Sequence, residues 1–120
     1  MRTLLVVDDE YVVLDALCMM LEGEGYRVRK ASDGGEAWHR LDEEIPDAML
    51  CDVQMPIADG VALMLRMGGD ARLSRVPVLL MVEAFGTRPA GIERARRIIV
   101  KPVRFDELLE ALRQEGLGPE

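Results

Sequence analysis

Ala48-Met49-Leu50-Cys51-Asp52-Val53-Gln54-Met55-Pro56-Ile57-Ala58-Asp59-Gly60 runs from four apolar residues straight into a carboxylate and then into turn-forming residues. A lone carboxylate at the end of a buried strand is costly unless a cation or a reaction employs it. Two more apolar runs end in charge. Leu4-Leu5-Val6-Val7 leads to Asp8 and Asp9, and Ile98-Ile99-Val100 leads to Lys101-Pro102. Three acids and a lysine, each at the C-terminal end of an expected strand, form a constellation with a chemical purpose.

Working outward from it, short apolar runs alternate with longer stretches of helical period, the pattern of repeated βα units. The expected strands are Thr3–Val7, Arg27–Ala31, Ala48–Cys51, Val78–Val82 and Ile98–Val100. The first, third and fourth are almost wholly apolar, as strands covered on both faces are. Arg27-Val28-Arg29-Lys30-Ala31 alternates and is charged, which suits an edge. Helices are expected over Tyr11–Glu22, over Gly34–Glu44 with Asp33 as N-cap, from Asp59-Gly60 through Met67, over about Pro89–Arg97, and over Phe105–Glu115. Five such units with right-handed crossovers give an α/β, doubly wound parallel sheet. Sites in such sheets form beyond the C-terminal strand ends, where Asp8, Asp9, Asp52 and Lys101 all project.

At 120 residues the chain is one domain. We assign residues 1–115 to it and read Gly116–Glu120 as a frayed tail or the start of a linker. Cys18 and Cys51 sit in apolar runs without metal-ligand spacing, so they read as small buried hydrophobes in a cytoplasmic protein. No apolar run is long enough for a membrane span. The net charge of −7 argues against nucleic-acid binding by this domain. The stretch Arg88–Arg104 is locally basic; it reads as a solvated face or as a docking face for an acidic partner.

Clustered carboxylates at neutral pH favour a hard divalent cation, and magnesium leaves open positions for phosphate oxygens. A carboxylate beside such a metal can attack a phosphoryl group, with a lysine neutralising charge. Each part also has a plainer reading. Asp8-Asp9 could simply cap the helix from Tyr11, Asp59-Gly60 could be an ordinary turn, and Asp52 could open a turn before Pro56.

Taken jointly, Val6-Val7-Asp8-Asp9-Glu10, Ser32-Asp33-Gly34-Gly35-Glu36-Ala37, Pro46-Asp47-Ala48-Met49-Leu50-Cys51-Asp52, Met55-Pro56, Asp59-Gly60 and Lys101-Pro102 make the chain closely resemble the receiver domain of two-component response regulators, the chemotaxis-receiver type included. The resemblance covers Arg2 to about Glu115. It implies the flavodoxin-like strand order 2-1-3-4-5 with five helices. It further implies that Asp52 accepts phosphate from a sensor histidine kinase or phosphotransfer protein. Asp9, Asp52 and the backbone carbonyl of Gln54 would hold Mg2+, with Asp8 acting through bound water. Lys101 would pair with the acyl phosphate, behind a cis bond to Pro102, and Gln54 would tune how long the phosphate survives. An output domain beyond Glu120, or a separate partner protein, would receive the signal; the domain itself is a signalling module rather than an enzyme.

The chain also departs from that family. At the switch position where receivers carry Thr or Ser, it has Val82, which is nearly isosteric but cannot donate a hydrogen bond. Glu83 follows where a small residue is usual, and Thr87 lies five residues beyond Val82. The aromatic switch position three before the lysine is Ile98. The interval from Val82 to Lys101 is about three residues shorter than usual, so the fourth helix is expected to be short or displaced. Arg96-Arg97 stand where receivers that dimerise through the fourth helix, fifth strand and fifth helix carry acids. Two alternatives follow. One is a receiver-like interaction module that works without phosphorylation, favoured by Val82 and Ile98. The other is a small aspartyl phosphohydrolase, disfavoured because its usual second carboxylate position is Gln54.

Overall fold

The computed structural model describes residues 1–55 and 59–119; Pro56, Ile57, Ala58 and Glu120 lie outside it, so the Met55-Pro56 motif is seen only as far as Met55. The strands are β1 (Thr3–Val7), β2 (Arg27–Ala31), β3 (Ala48–Asp52), β4 (Val78–Val82) and β5 (Arg97–Val100). All pair in parallel in the order β2-β1-β3-β4-β5, the doubly wound order expected. β2 is an edge, and its Arg27 and Arg29 are occupied by Glu44 and Glu43.

The α-helices are α1 (Tyr11–Gly23), α2 (Gly34–Glu43), α3 (Gly60–Gly68) and α4 (Phe105–Gln114). Strand periodicity deals side chains to two apolar layers. Leu5, Val7, Met49, Cys51, Leu80 and Val82 pack beneath α2 and α3. Leu4, Val6, Leu50, Leu79 and Met81 pack beneath α1 and α4. Both cysteines are buried and free, and burial pushes the Cys18 thiol up to about 11. Arg66 of α3 lies over the Trp38 ring of α2, 3.6 Å from its centroid.

Helix starts follow the sequence. Asp33 Oδ1 accepts from the Glu36 amide at 2.8 Å, and Asp59 Oδ1 from the Ala62 amide at 2.7 Å.

One expected element is corrected. No α-helix forms over Pro89–Arg97; there is only a 3-10 turn at Ile92–Arg94, so the chain has four α-helices among the described residues rather than five. The physical reason lies in the segment itself. Only Ile92 is buried there and Gly91 takes φ 90°, so there is neither an apolar stripe nor an uninterrupted helical backbone to stabilise a helix. Arg97, placed in that helix by the sequence, instead opens β5. Arg96 and Arg97 pair with Glu115 beyond the C-terminus of α4 (3.2 and 2.9 Å), which absorbs part of the basic run.

The glycine-rich stretch after α4 is held rather than frayed as far as Gly118. Leu117 is buried, Tyr26 Oη donates to its carbonyl at 2.6 Å, and Arg2 Nε donates to the Gly118 carbonyl at 2.9 Å.

Candidate functional site

The ends of β1, β3 and β5 meet at one point. Asp52, the last residue of β3, is 4% exposed, and Asp8, just past β1, is fully buried. Lys101 follows β5, and its backbone amide donates to the Val82 carbonyl at 2.8 Å, which fixes where its side chain starts. The peptide bond from Lys101 to Pro102 is cis, as the family resemblance implied. Lys101 Nζ donates to Asp52 Oδ2 at 3.0 Å and stands 3.9 Å from Asp8 Oδ2. Asp52 Oδ1 accepts from the Gln54 amide at 3.2 Å.

The acids beside β1 do not cap α1. Its N-cap residue is Glu10, with no side-chain cap bond. Asp8 Oδ1 instead accepts from the Glu10 amide at 2.9 Å, while Asp8 Oδ2 is buried without a hydrogen-bond partner. A buried, unpartnered carboxylate oxygen is a costly arrangement that a bound cation would relieve. Asp8, Asp9 and Glu10 can each bring one carboxylate oxygen within 4.8 Å of the others. Burial pushes the Asp8 carboxyl above its ordinary pKa, with Asp52 and Asp9 adding to the rise; the Glu10 amide and Lys101 offset part of it. For Lys101 burial would lower the pKa. The hydrogen bond to Asp52 and the charges of Asp52, Asp8 and Glu83 outweigh burial and hold the ammonium above its usual range.

Gly60 is wedged against this site. A Cβ there would stand 2.5 Å from the Asp52 carbonyl oxygen and 3.1 Å from Cys51 Sγ, so the start of α3 abuts the end of β3 only because the side chain is missing. An open cavity of about 590 Å3 lies over the site, bordered by Asp9, Asp52, Gln54, Asp59, Thr87 and Arg88, among others.

Of the residues singled out in the sequence, Lys101 reaches both Asp52 and Asp8, Asp9 joins the acid group with Asp8, and Gln54 touches Asp52 through its backbone. Val82 ends β4 and is buried, and Ile98 is half-buried beside Leu80 in the neighbouring strand. Glu83 is half-exposed, yet its Oε1 reaches 3.9 Å from Lys101 Nζ, so it faces the site without being enclosed by it. Two contributors carried no role in the sequence reading. Glu10 joins the acid group, a position visible in the Asp8-Asp9-Glu10 run. Arg88 borders the cavity, and nothing in an irregular loop announces that placement.

The family model for the response regulator receiver domain matches residues 4–113. This chain belongs to the response regulator receiver domain family. The response regulator MprA of Mycobacterium tuberculosis is 34% identical over 111 residues, covering 92% of this chain and 48% of MprA, so the receiver spans about half the length of that relative. Among solved structures, the chemotaxis protein CheY4 of Vibrio cholerae superposes with TM-score 0.85 at 26% identity, over 95% of this chain and 98% of CheY4. The response regulator TrrA of Thermotoga maritima, in complex with Mg2+-BeF, gives TM-score 0.84 at 27% identity, over 95% and 98% of the two chains. Among the described residues, no helix of the receiver is long and apolar enough to cross a membrane.

Proposed function

We propose that this receiver takes phosphate on Asp52 in a Mg2+-dependent reaction. The observation that carries the reading is the Asp8–Asp52–Lys101 contact, in which one buried Asp8 oxygen has no hydrogen-bond partner. Asp9, Asp52 and the Gln54 carbonyl are the groups to hold the cation, with Asp8 contributing through water. When bound, the cation screens the acids and neutralises charge on the transferring phosphoryl group. The chain's own part is alignment. The Gln54 amide and Lys101 orient the Asp52 carboxylate, one Asp52 oxygen forms the new P–O bond as the P–N bond of the donor's phosphohistidine (or the P–O bond of acetyl phosphate) breaks, and Lys101 stays to pair with the acyl phosphate.

The phosphodonor is a histidine kinase or phosphotransfer protein, and the signal passes to an output domain or partner protein. The TrrA complex with Mg2+-BeF supports the same chemistry for a relative of this fold. The switch is atypical. Val82 offers no hydroxyl, Ile98 no aromatic ring, and the β4–β5 connection no α-helix. Those three features also support a second reading, a receiver-like module that binds its partner without phosphorylation.

Intact mass after incubation with acetyl phosphate separates the two. One phosphoryl adduct is expected with magnesium, none without it, and none in Asp52→Asn. An unlabelled wild type, under conditions that label an ordinary receiver, would leave the phosphate-independent module.

A further inference from the structure

Five carboxylates border the cavity over Asp52: those of Asp9, Glu10, Asp52, Asp59 and Glu83. Phosphorylation would replace the single negative charge of the Asp52 carboxylate with about two at neutral pH, concentrated on the phosphoryl oxygens. Lys101 is already committed to Asp52, with Asp8 and Glu83 also near it at 3.9 Å. A strand-end hydroxyl that could donate to the phosphoryl oxygens is absent, because β4 ends in buried Val82.

One side chain bordering the cavity has the charge to fill that gap. Arg88 is the only cation among the described residues around it. Despite the surrounding acids, its guanidinium makes no hydrogen bond or ion pair with any described residue. It is exposed, on the irregular connection between β4 and β5, where Gly86 (φ 109°) and Gly91 (φ 90°) turn the chain on either side. Pro89 follows it and biases the Arg88 backbone towards the extended region, so reach comes from the side chain. A planar guanidinium matches phosphate oxygens in two parallel hydrogen bonds, which neither a hydroxyl nor an ammonium does.

We propose that Arg88 grips the phosphoryl oxygens of phosphorylated Asp52, supplying from the shortened β4–β5 connection the contact that Val82 cannot make. The proposal rests on Asp52 being the acceptor. It assigns this receiver a phosphoryl-binding residue outside the usual switch positions, and it couples the connection's position directly to the presence of phosphate.

The test is a calorimetric titration of the full chain with beryllium fluoride in saturating magnesium, where the fluoride complex on a carboxylate mimics the phosphoryl group. A parallel titration uses magnesium alone. Arg88→Ala is expected to weaken beryllium fluoride binding about tenfold, with magnesium affinity unchanged within twofold. Arg88→Lys is expected to fall between the two, and Thr87→Val to bind as wild type. Equal beryllium fluoride binding by wild type and Arg88→Ala would overturn the proposal. So would a loss matched by an equal loss of magnesium affinity, or a loss that appears in Thr87→Val instead. A wild type that binds magnesium but no beryllium fluoride would overturn the reading of Asp52 as acceptor, and this proposal with it.

Discussion

Two regions border the same cavity and are built by opposite means. At the ends of β1, β3 and β5, Asp8, Asp52 and Lys101 are buried or nearly so, their backbones fixed by the parallel ladders and their side chains by one another. The connection from β4 to β5 has no strand or α-helix between Glu83 and Arg96 and only one buried residue, Ile92. The difference shows where a receiver tolerates change. Groups that must meet atom to atom are held by three separate strands, whereas the connection between β4 and β5 departs from regular structure without disturbing them.

The comparison breaks most severely at the lysine. Lys101→Ala leaves two buried carboxylates facing each other, and is expected to lower stability by about 3 kcal/mol in magnesium-free urea unfolding at pH 7. Magnesium should restore part of that loss.

Gly60→Val attacks the same region sterically. The Cβ has only 2.5 Å to the Asp52 carbonyl oxygen, so α3 must shift, at a cost of about 2 kcal/mol in the same assay.

Asp8 sharpens the comparison through pH. Its carboxyl is raised by burial, so the native state binds its proton more tightly than the unfolded chain does. The ionised form therefore costs stability at neutral pH, and that cost is relieved as pH falls through the raised native pKa towards the ordinary value of 3.8. Asp8→Asn is expected to stabilise the metal-free protein by about 1 kcal/mol at pH 7 and to flatten this part of the pH profile, while weakening magnesium binding. A variant with unchanged pH dependence would mean that Asp8 is not under strain.

The smallest effect belongs to the connection. Phe85 is 92% exposed, and Phe85→Ser should leave unfolding within about 0.5 kcal/mol of wild type.

The same contrast explains what the sequence made legible. Each buried strand announces itself as an apolar run, so the doubly wound fold was readable, while the strand order followed from the resemblance to the receiver family. The strand bounds moved by one residue at Asp52, which joins β3, and at Arg97, which joins β5. Asp8, Asp52 and Lys101 were readable because a charge directly after such a run has one plausible position, the strand's end. The expected fourth helix rested on a segment whose only buried residue is Ile92, too little apolar surface to hold a helix against the sheet. Glu83 and Arg88 were beyond reach for another reason. Their direction depends on the path of an irregular connection, and no periodicity encodes that path.

Trp38 is the only tryptophan in the chain, and the Arg66 guanidinium lies over its ring. Arg66 belongs to the helix that begins at Gly60, in contact with the Asp52 backbone. Any event at Asp52 that pushes α3 changes what the indole stacks against. The protein therefore carries its own optical gauge: ultraviolet emission from one natural residue can report the position of α3 in real time, with no dye attached.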